Sequence, residues 1–220
     1  MVEIVEVLQE FLTKNGRKVI LRTPTRKDID GLLGLFSSLF DQGTEGIEKQ
    51  EFSIEKELEW LTAHLSLMEK GMSFFILAEV GGEIMARCQF SLQKSWQFNL
   101  LSGMIDSANR SVIFRTFAGK TSKFNLIQRN IPYLQNAGVV GIIIKRGFRN
   151  IGIGTAMMHI LIEQAERMGL DALTLTVSPT NNRAIHIYEK VGFKRTVFHL
   201  ERKKITMIKH LKKGAVARNS

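Results

Sequence analysis

The chain has 220 residues, 44% of them hydrophobic, with 31 lysines and arginines against 21 acidic residues and a formal net charge of +10. That length and apolar content suffice for one packed domain, and a single cysteine, Cys88, excludes an internal disulfide. No run approaches the ~18 apolar residues of a spanning helix, and the N-terminal MVEIVEVLQEF carries glutamates where a secretory signal carries lysines, so a soluble, cytoplasmic protein is expected.

The positive balance favours a polyanionic partner: a phosphorylated cofactor, nucleic acid or an acidic protein surface. Part of it lies between Arg202 and Arg218, where a solvated end explains it.

In chain order, residues 1–16 read as an arm, either a short amphipathic helix or irregular. KVILR, Lys18 to Arg22, reads as a strand. Thr25 or Asp28 then caps a helical pattern of Ile29, Leu32, Leu33, Phe36, Leu39 and Phe40. Ser53 caps a second helix carrying Leu58, Leu61, Leu65 and Met68, which Gly71 ends. FFILAEV and IMARCQF flank Gly81-Gly82 as a hairpin.

Ser91 to Gln135 interleaves aromatics (Trp96, Phe98, Phe114, Tyr133) with bases (Lys94, Arg110, Arg115, Lys120) and shows no clear period. Val139 to Ile144 reads as a strand, followed by RNIGIG and a helix over Thr155 to Met168 with Met157, Leu161, Ala165 and Met168 on one stripe. ALTLTV reads as the next strand, and Asn181 caps a short helix to about Val191. Strands over Phe193 to Leu200 and Ile205 to Leu211 close the order. It gives one mixed α/β domain over 17–212 with an insertion at about 91–136 and a basic tail at 213–220.

RNIGIG, Arg149 to Gly154, joins a strand to a helix start. Its two glycines remove Cβ atoms where the first helical turn leaves N–H groups unpaired, a corner suited to a phosphate or pyrophosphate. A purely steric glycine turn is the alternative. Met157 stands where a dinucleotide fingerprint needs a small residue, and Gly154-Thr155 lacks the lysine of a nucleoside triphosphate loop. An acyl-coenzyme A site remains.

Arg149-Asn150-Ile151-Gly152-Ile153-Gly154 resembles the R/Q-x-x-G-x-G/A motif of the GCN5-related N-acetyltransferase (GNAT) superfamily. Asn181 to Phe193, NNRAIHIYEKVGF, is similar to that superfamily's N-x-x-A-I-x-x-Y-x-x-x-G-F signature. The two stand in the right order, one helix and one strand apart. The likeness spans Lys18 to Leu211 in layout, and the long segment between the third and fourth strands departs from it.

The resemblance implies a GNAT-like α/β fold with a central mixed sheet flanked by helices, and acetyl transfer from acetyl-CoA to an amine in a ternary complex. It implies a diphosphate on the main-chain N–H groups of Ile151, Gly152, Ile153, Gly154 and Thr155, with Arg149 and Asn150 at the entrance. The pantetheine arm would lie along Ile142, Ile143 and Ile144, whose last N–H supports the developing oxyanion. Tyr188 would protonate the departing thiolate, within reach of Asn181, which either orients the coenzyme or only caps its helix. By spacing alone, Tyr188 is equally an aromatic packed beside Ile185, Ile187 and Phe193.

Glu45, Glu79 and Glu83 are candidate bases, each also readable as a solvated carboxylate. Arg183 and Lys190 stand near the expected cofactor edge. His159 and Glu163 lie one helical turn apart without a third ligand, so no metal is expected, and Cys88 reads as core. The expected partner is an amine-bearing acceptor, protein or small molecule, contacted by residues 41–50 and 91–135; a homodimer contact is the other use of the latter segment. No membrane and no nucleic acid is expected. A non-catalytic acyl-CoA-binding module, or a nucleic-acid binder using the aromatic and basic stretch, are the alternative functions.

Overall fold

The computed structural model describes residues 5–40, 54–92, 136–199 and 204–212. Glu45, the Ser53 cap, the aromatic and basic stretch and the C-terminal tail lie outside the described residues.

The N-terminal segment departs from the expected arm: β1 (Val7–Leu12) is a strand, antiparallel to β2 (Lys18–Arg22). A bulge between Val7 and Gln9 turns Leu8 onto the same face as Phe11, and both pack on the core. A three-residue apolar spacing of this kind imitates a helix in the sequence. With β1 counted, the long segment falls between the fourth and fifth strands.

A 3₁₀ turn, Arg26–Asp28, precedes α1 (Ile29–Phe40), and α2 (Ile54–Glu69) follows. The Thr25 amide donates to Asp28 Oδ2 at 2.7 Å, so both expected capping residues act together. Leu32, Leu35 and Phe36 of α1 are buried. On α2, Leu58 is exposed, while Trp60, Leu61, His64 and Leu67 turn inward. The apolar stripe is shifted from the expected one because an indole and a neutral imidazole belong to it.

β3 (Ser73–Val80) and β4 (Glu83–Leu92) form the hairpin, with Gly81 at φ 61° and Gly82 at φ 83°, both left-handed as a tight two-residue turn requires. Then come β5 (Ala137–Ile144), α3 (Ile153–Arg167), β6 (Ala172–Val177), α4 (Asn182–Lys190), β7 (Lys194–His199) and β8 (Lys204–His210).

Among the described residues the strands form one sheet in the order β1-β2-β3-β4-β5-β6-β8-β7. Every neighbouring pair is antiparallel except β5 with β6. Alternation sorts side chains to two faces. Phe75 and Leu77 meet Leu32, Leu35, Trp60 and Leu61 of α1 and α2. Ile76, Ala78, Cys88, Phe90 and Val140 meet Met157, Met158, Leu161 and Ala165 of α3, with Ile185 and Tyr188 of α4. Met157 and Leu161 are fully buried, each stabilising the fold by about 2 kcal/mol.

The sheet parts at its centre. β5 pairs with β6 only from Ala137 to Val139, opposite Ala172 to Thr174, while β4 follows β5 to Ile144 and β8 follows β6 to Val177. From Val140 onward, one edge of β5 has no strand beside it.

Candidate active site at the parting of β5 and β6

The free edge of β5 follows from the ladder. Lys145 N donates to Met85 O at 2.9 Å, so in the regular β4–β5 pairing Ile143 and Gly141 also turn their main-chain groups to β4. The N–H groups of Ile142 and Ile144 therefore point away from β4, into the gap that β6 has left. Of the three isoleucines expected along the arm, these two offer main-chain groups to the opening, and Ile143 does not. Their side chains pack with α3 and α4, whereas Ile143 packs on the α1 and α2 face.

Beyond Ile144 the chain makes a 3₁₀ turn, Arg146–Phe148, and a left-handed corner with Asn150 at φ 64° and Gly152 at φ 98°. α3 then begins at Ile153, its first backbone bond running from Ala156 N to Gly152 O at 3.0 Å. The N–H groups of Ile153, Gly154 and Thr155 precede that bond and have no intrahelical acceptor. A Cβ on Gly154 would stand 3.0 Å from Ile144 Cδ1 and 3.3 Å from Ile187 Cδ1, so only glycine lets the helix start sit this close to β5. Phe11 of β1 lies 4.0 Å from where a Gly152 Cβ would be, and Arg17 covers the Phe148 ring at 5.1 Å. The hairpin missed in the sequence thus supports the corner from beneath.

Arg149 Nε donates to Ile144 O at 2.9 Å, pinning the loop to the free strand edge. Burial lowers the pKa of this guanidinium, and the charges of Arg183 and Arg146 lower it further. Three like charges converge on one corner, an arrangement that an anion relieves. Arg146 was not singled out in the sequence; its partners come from α4 and the loop, which only the fold brings together.

Tyr188 is buried on the inner face of α4, its ring 6.0 Å from Phe193. Burial pushes its phenol well above the ordinary tyrosine value, and the nearby Cys88 thiol adds to the shift. The hydroxyl makes no hydrogen bond to a described residue. Asn181 Oδ1 accepts from Ala184 N at 3.2 Å, so this side chain caps α4, and Asn182, Arg183 and Lys190 are exposed.

Glu79, a candidate base, is committed elsewhere: Arg22 Nε binds its Oε2 at 2.8 Å while the rest of that guanidinium grips Asp28. Exposed Glu83 faces Lys145 at 3.9 Å. Glu163 pairs with Arg167 at 2.6 Å rather than with His159. Cys88 is fully buried against Met158, and burial raises its thiol far from thiolate chemistry. No described helix is long and apolar enough to cross a membrane.

The geometry has counterparts. The sequence pattern described as "Acetyltransferase (GNAT) family" matches residues 36–193. A ribosomal protein bS18-alanine N-acetyltransferase of Escherichia coli K12 is 32% identical over 75 residues, 34% of this chain. The chain spans about half the length of such curated relatives, 49%. The yncA structure of Salmonella typhimurium, solved with its cofactor acetyl-CoA, superposes with TM-score 0.61 at 13% identity, covering 92% of this chain and 99% of that one. A ribosomal-protein-alanine N-acetyltransferase from Brucella melitensis gives TM-score 0.59 at 16% identity, covering 87% and 99%. At those identities the two structures show the fold, and the family pattern covers most of the chain. The protein belongs to the acetyltransferase (GNAT) family.

Proposed function

We propose that the protein is an N-acetyltransferase that moves the acetyl group of acetyl-CoA to a primary amine, with both substrates bound together. The parting of β5 and β6 carries this reading: it leaves the Ile142 and Ile144 amides unclaimed by any strand, between a glycine corner and a buried tyrosine.

The residues fit the coenzyme. The N–H groups from Ile151 to Thr155, with the arginines at 146, 149 and 183, suit its phosphates. The Ile142 and Ile144 main chain suits its amide-bearing arm, as an added strand would pair. When bound, acetyl-CoA supplies an activated acyl group. Around it, the Ile144 N–H is a fixed donor for negative charge on the acyl oxygen. Tyr188 keeps its proton at neutral pH and holds it for the departing sulfur. Parting strands and a packed core keep water from this space. Asn181 serves mainly by fixing the start of α4.

An amine-bearing protein is the acceptor class favoured, since the named relatives act on ribosomal-protein alanine. Calorimetry with acetyl-CoA and a free-thiol assay over a panel of amines test the reading together. Binding, with thiol released only when an amine is present, is expected. Tight binding without thiol release from any amine would instead make this a non-catalytic acyl-CoA-binding module.

A further inference from the structure

The face of the sheet under α1 and α2 holds a polar group with no partner. Gln89 of β4 is only 8% exposed, and its Oε1 is buried without a hydrogen bond. Buried carbonyl oxygens are rarely left so, because water is gone and nothing replaces it. The neighbouring polar residues on this face are committed. Ser73 Oγ donates to Phe90 O at 2.8 Å and lies 3.3 Å from Ser91 Oγ, and the Arg87 guanidinium lies over the Phe36 and Trp60 rings at 4.3 and 4.4 Å.

Directly across the ladder from Gln89 stands Gly141. The space a Cβ would occupy there holds, among the described residues, only the Gln89 amide: Nε2 at 3.5 Å and Cδ at 3.7 Å. Gly141 lies two residues past Val139, the last residue of β5 paired with β6. The bare patch therefore opens onto the gap in the sheet, next to Ile142, from the face opposite Tyr188.

We propose that Gln89 and Gly141 form the acceptor subsite, and that it takes an α-amino acyl group, such as the free N-terminus of a peptide. The proposal rests on the acetyltransferase reading and names its substrate class. A primary amide offers acceptor sites on its oxygen and two donors on its nitrogen. An N-terminal residue carries the complement one carbon apart: amine N–H groups for Oε1 and a carbonyl oxygen for Nε2. A lysine ε-amine has no carbonyl beside it and satisfies one half only. The side-chain-free floor at Gly141 lets that residue approach the free edge of β5, where the amine meets the acyl carbon.

The test uses the whole protein with acetyl-CoA and three probes: an alanine-initiated tetrapeptide, Nα-acetyl-lysine amide and propylamine. Wild type is expected to bind acetyl-CoA and to favour the tetrapeptide at least tenfold in kcat/KM. Gln89→Leu keeps the shape and removes the polar atoms. It should raise the tetrapeptide KM at least tenfold, leave the acetyl-CoA Kd within twofold, and leave Tm no lower, since an unpaired oxygen is exchanged for a methyl. Gln89→Glu, which keeps an acceptor oxygen, should recover part of the loss. Wild-type turnover with an unchanged tetrapeptide KM in Gln89→Leu overturns the subsite alone. So does a parallel loss of acetyl-CoA binding, which would make Gln89 structural. A wild type that binds no acetyl-CoA, or acetylates no probe, overturns the acetyltransferase reading and the subsite with it.

Discussion

Tyr188 illustrates how burial sets chemistry at the scale of one residue. A phenol pushed upward by desolvation keeps its proton through the neutral and mildly alkaline range, so it is a donor and never a base there. Tyr188→Phe should lower acetyl transfer by about 10 to 10³-fold while leaving the unfolding midpoint unchanged, by thiol-release kinetics and thermal denaturation. The wild-type rate should show no alkaline decline attributable to this group below pH ~10. Gly152 is the second residue of consequence, because φ 98° is disfavoured for any side chain. Gly152→Val should destabilise by about 1 to 2 kcal/mol in urea titration and weaken acetyl-CoA binding at least tenfold by calorimetry. Both positions were legible from motif residues. Gln89 was not, since a glutamine in IMARCQF reads as an alternate position, and only the fold shows it buried opposite a glycine. The candidate base Glu79 failed for a similar reason: its partner Arg22 lies 57 residues away in sequence.

At the scale of elements, helices and strands followed from periodicity where one face is buried. Met157, Leu161 and Ala165 face the core as their spacing requires, and α2, α3 and α4 stop at Gly71, Gly169 and Gly192. β1 escaped because a bulge breaks its alternation, and the parting of β5 from β6 escaped because main-chain donors leave no mark in a sequence. The turn before α1 is held by charge. Burial alone would raise the Asp28 pKa, but Arg22 and the Thr25 amide outweigh it and hold the carboxyl below its usual value. Asp28→Asn leaves Arg22 without this partner inside the fold and should cost about 3 kcal/mol, read from urea unfolding at pH 7. α2 carries a separate pH dependence. Burial holds the His64 imidazole at about 4, even though the Trp60 carbonyl contact favours the proton; the Arg87 charge lowers it further. The unfolded histidine protonates near pH 6.5, so stability should fall as pH drops from there to about 4, by roughly 3 kcal/mol. Asp28, with its depressed value, contributes above the ordinary carboxylate range and is lost only at more acidic pH. A His64→Leu variant should therefore lose less stability than wild type between pH 7 and 4.5.

At the scale of the molecule, two helical layers leave the sheet accessible where its centre opens, and the functional groups converge on that opening from opposite faces. Phosphate-binding amides and Tyr188 belong to the α3 and α4 side, and the acceptor patch to the α1 and α2 side. The net charge of +10 suits a phosphorylated donor, and the corner arginines localise part of it. The most direct test of the account is a crystal structure of the protein with acetyl-CoA. The account predicts the diphosphate on the N–H groups between Ile151 and Thr155 and the arm along Ile142 and Ile144, with the thioester beneath Tyr188. A coenzyme bound elsewhere, or β6 zipped onto β5 through Ile144, would contradict it.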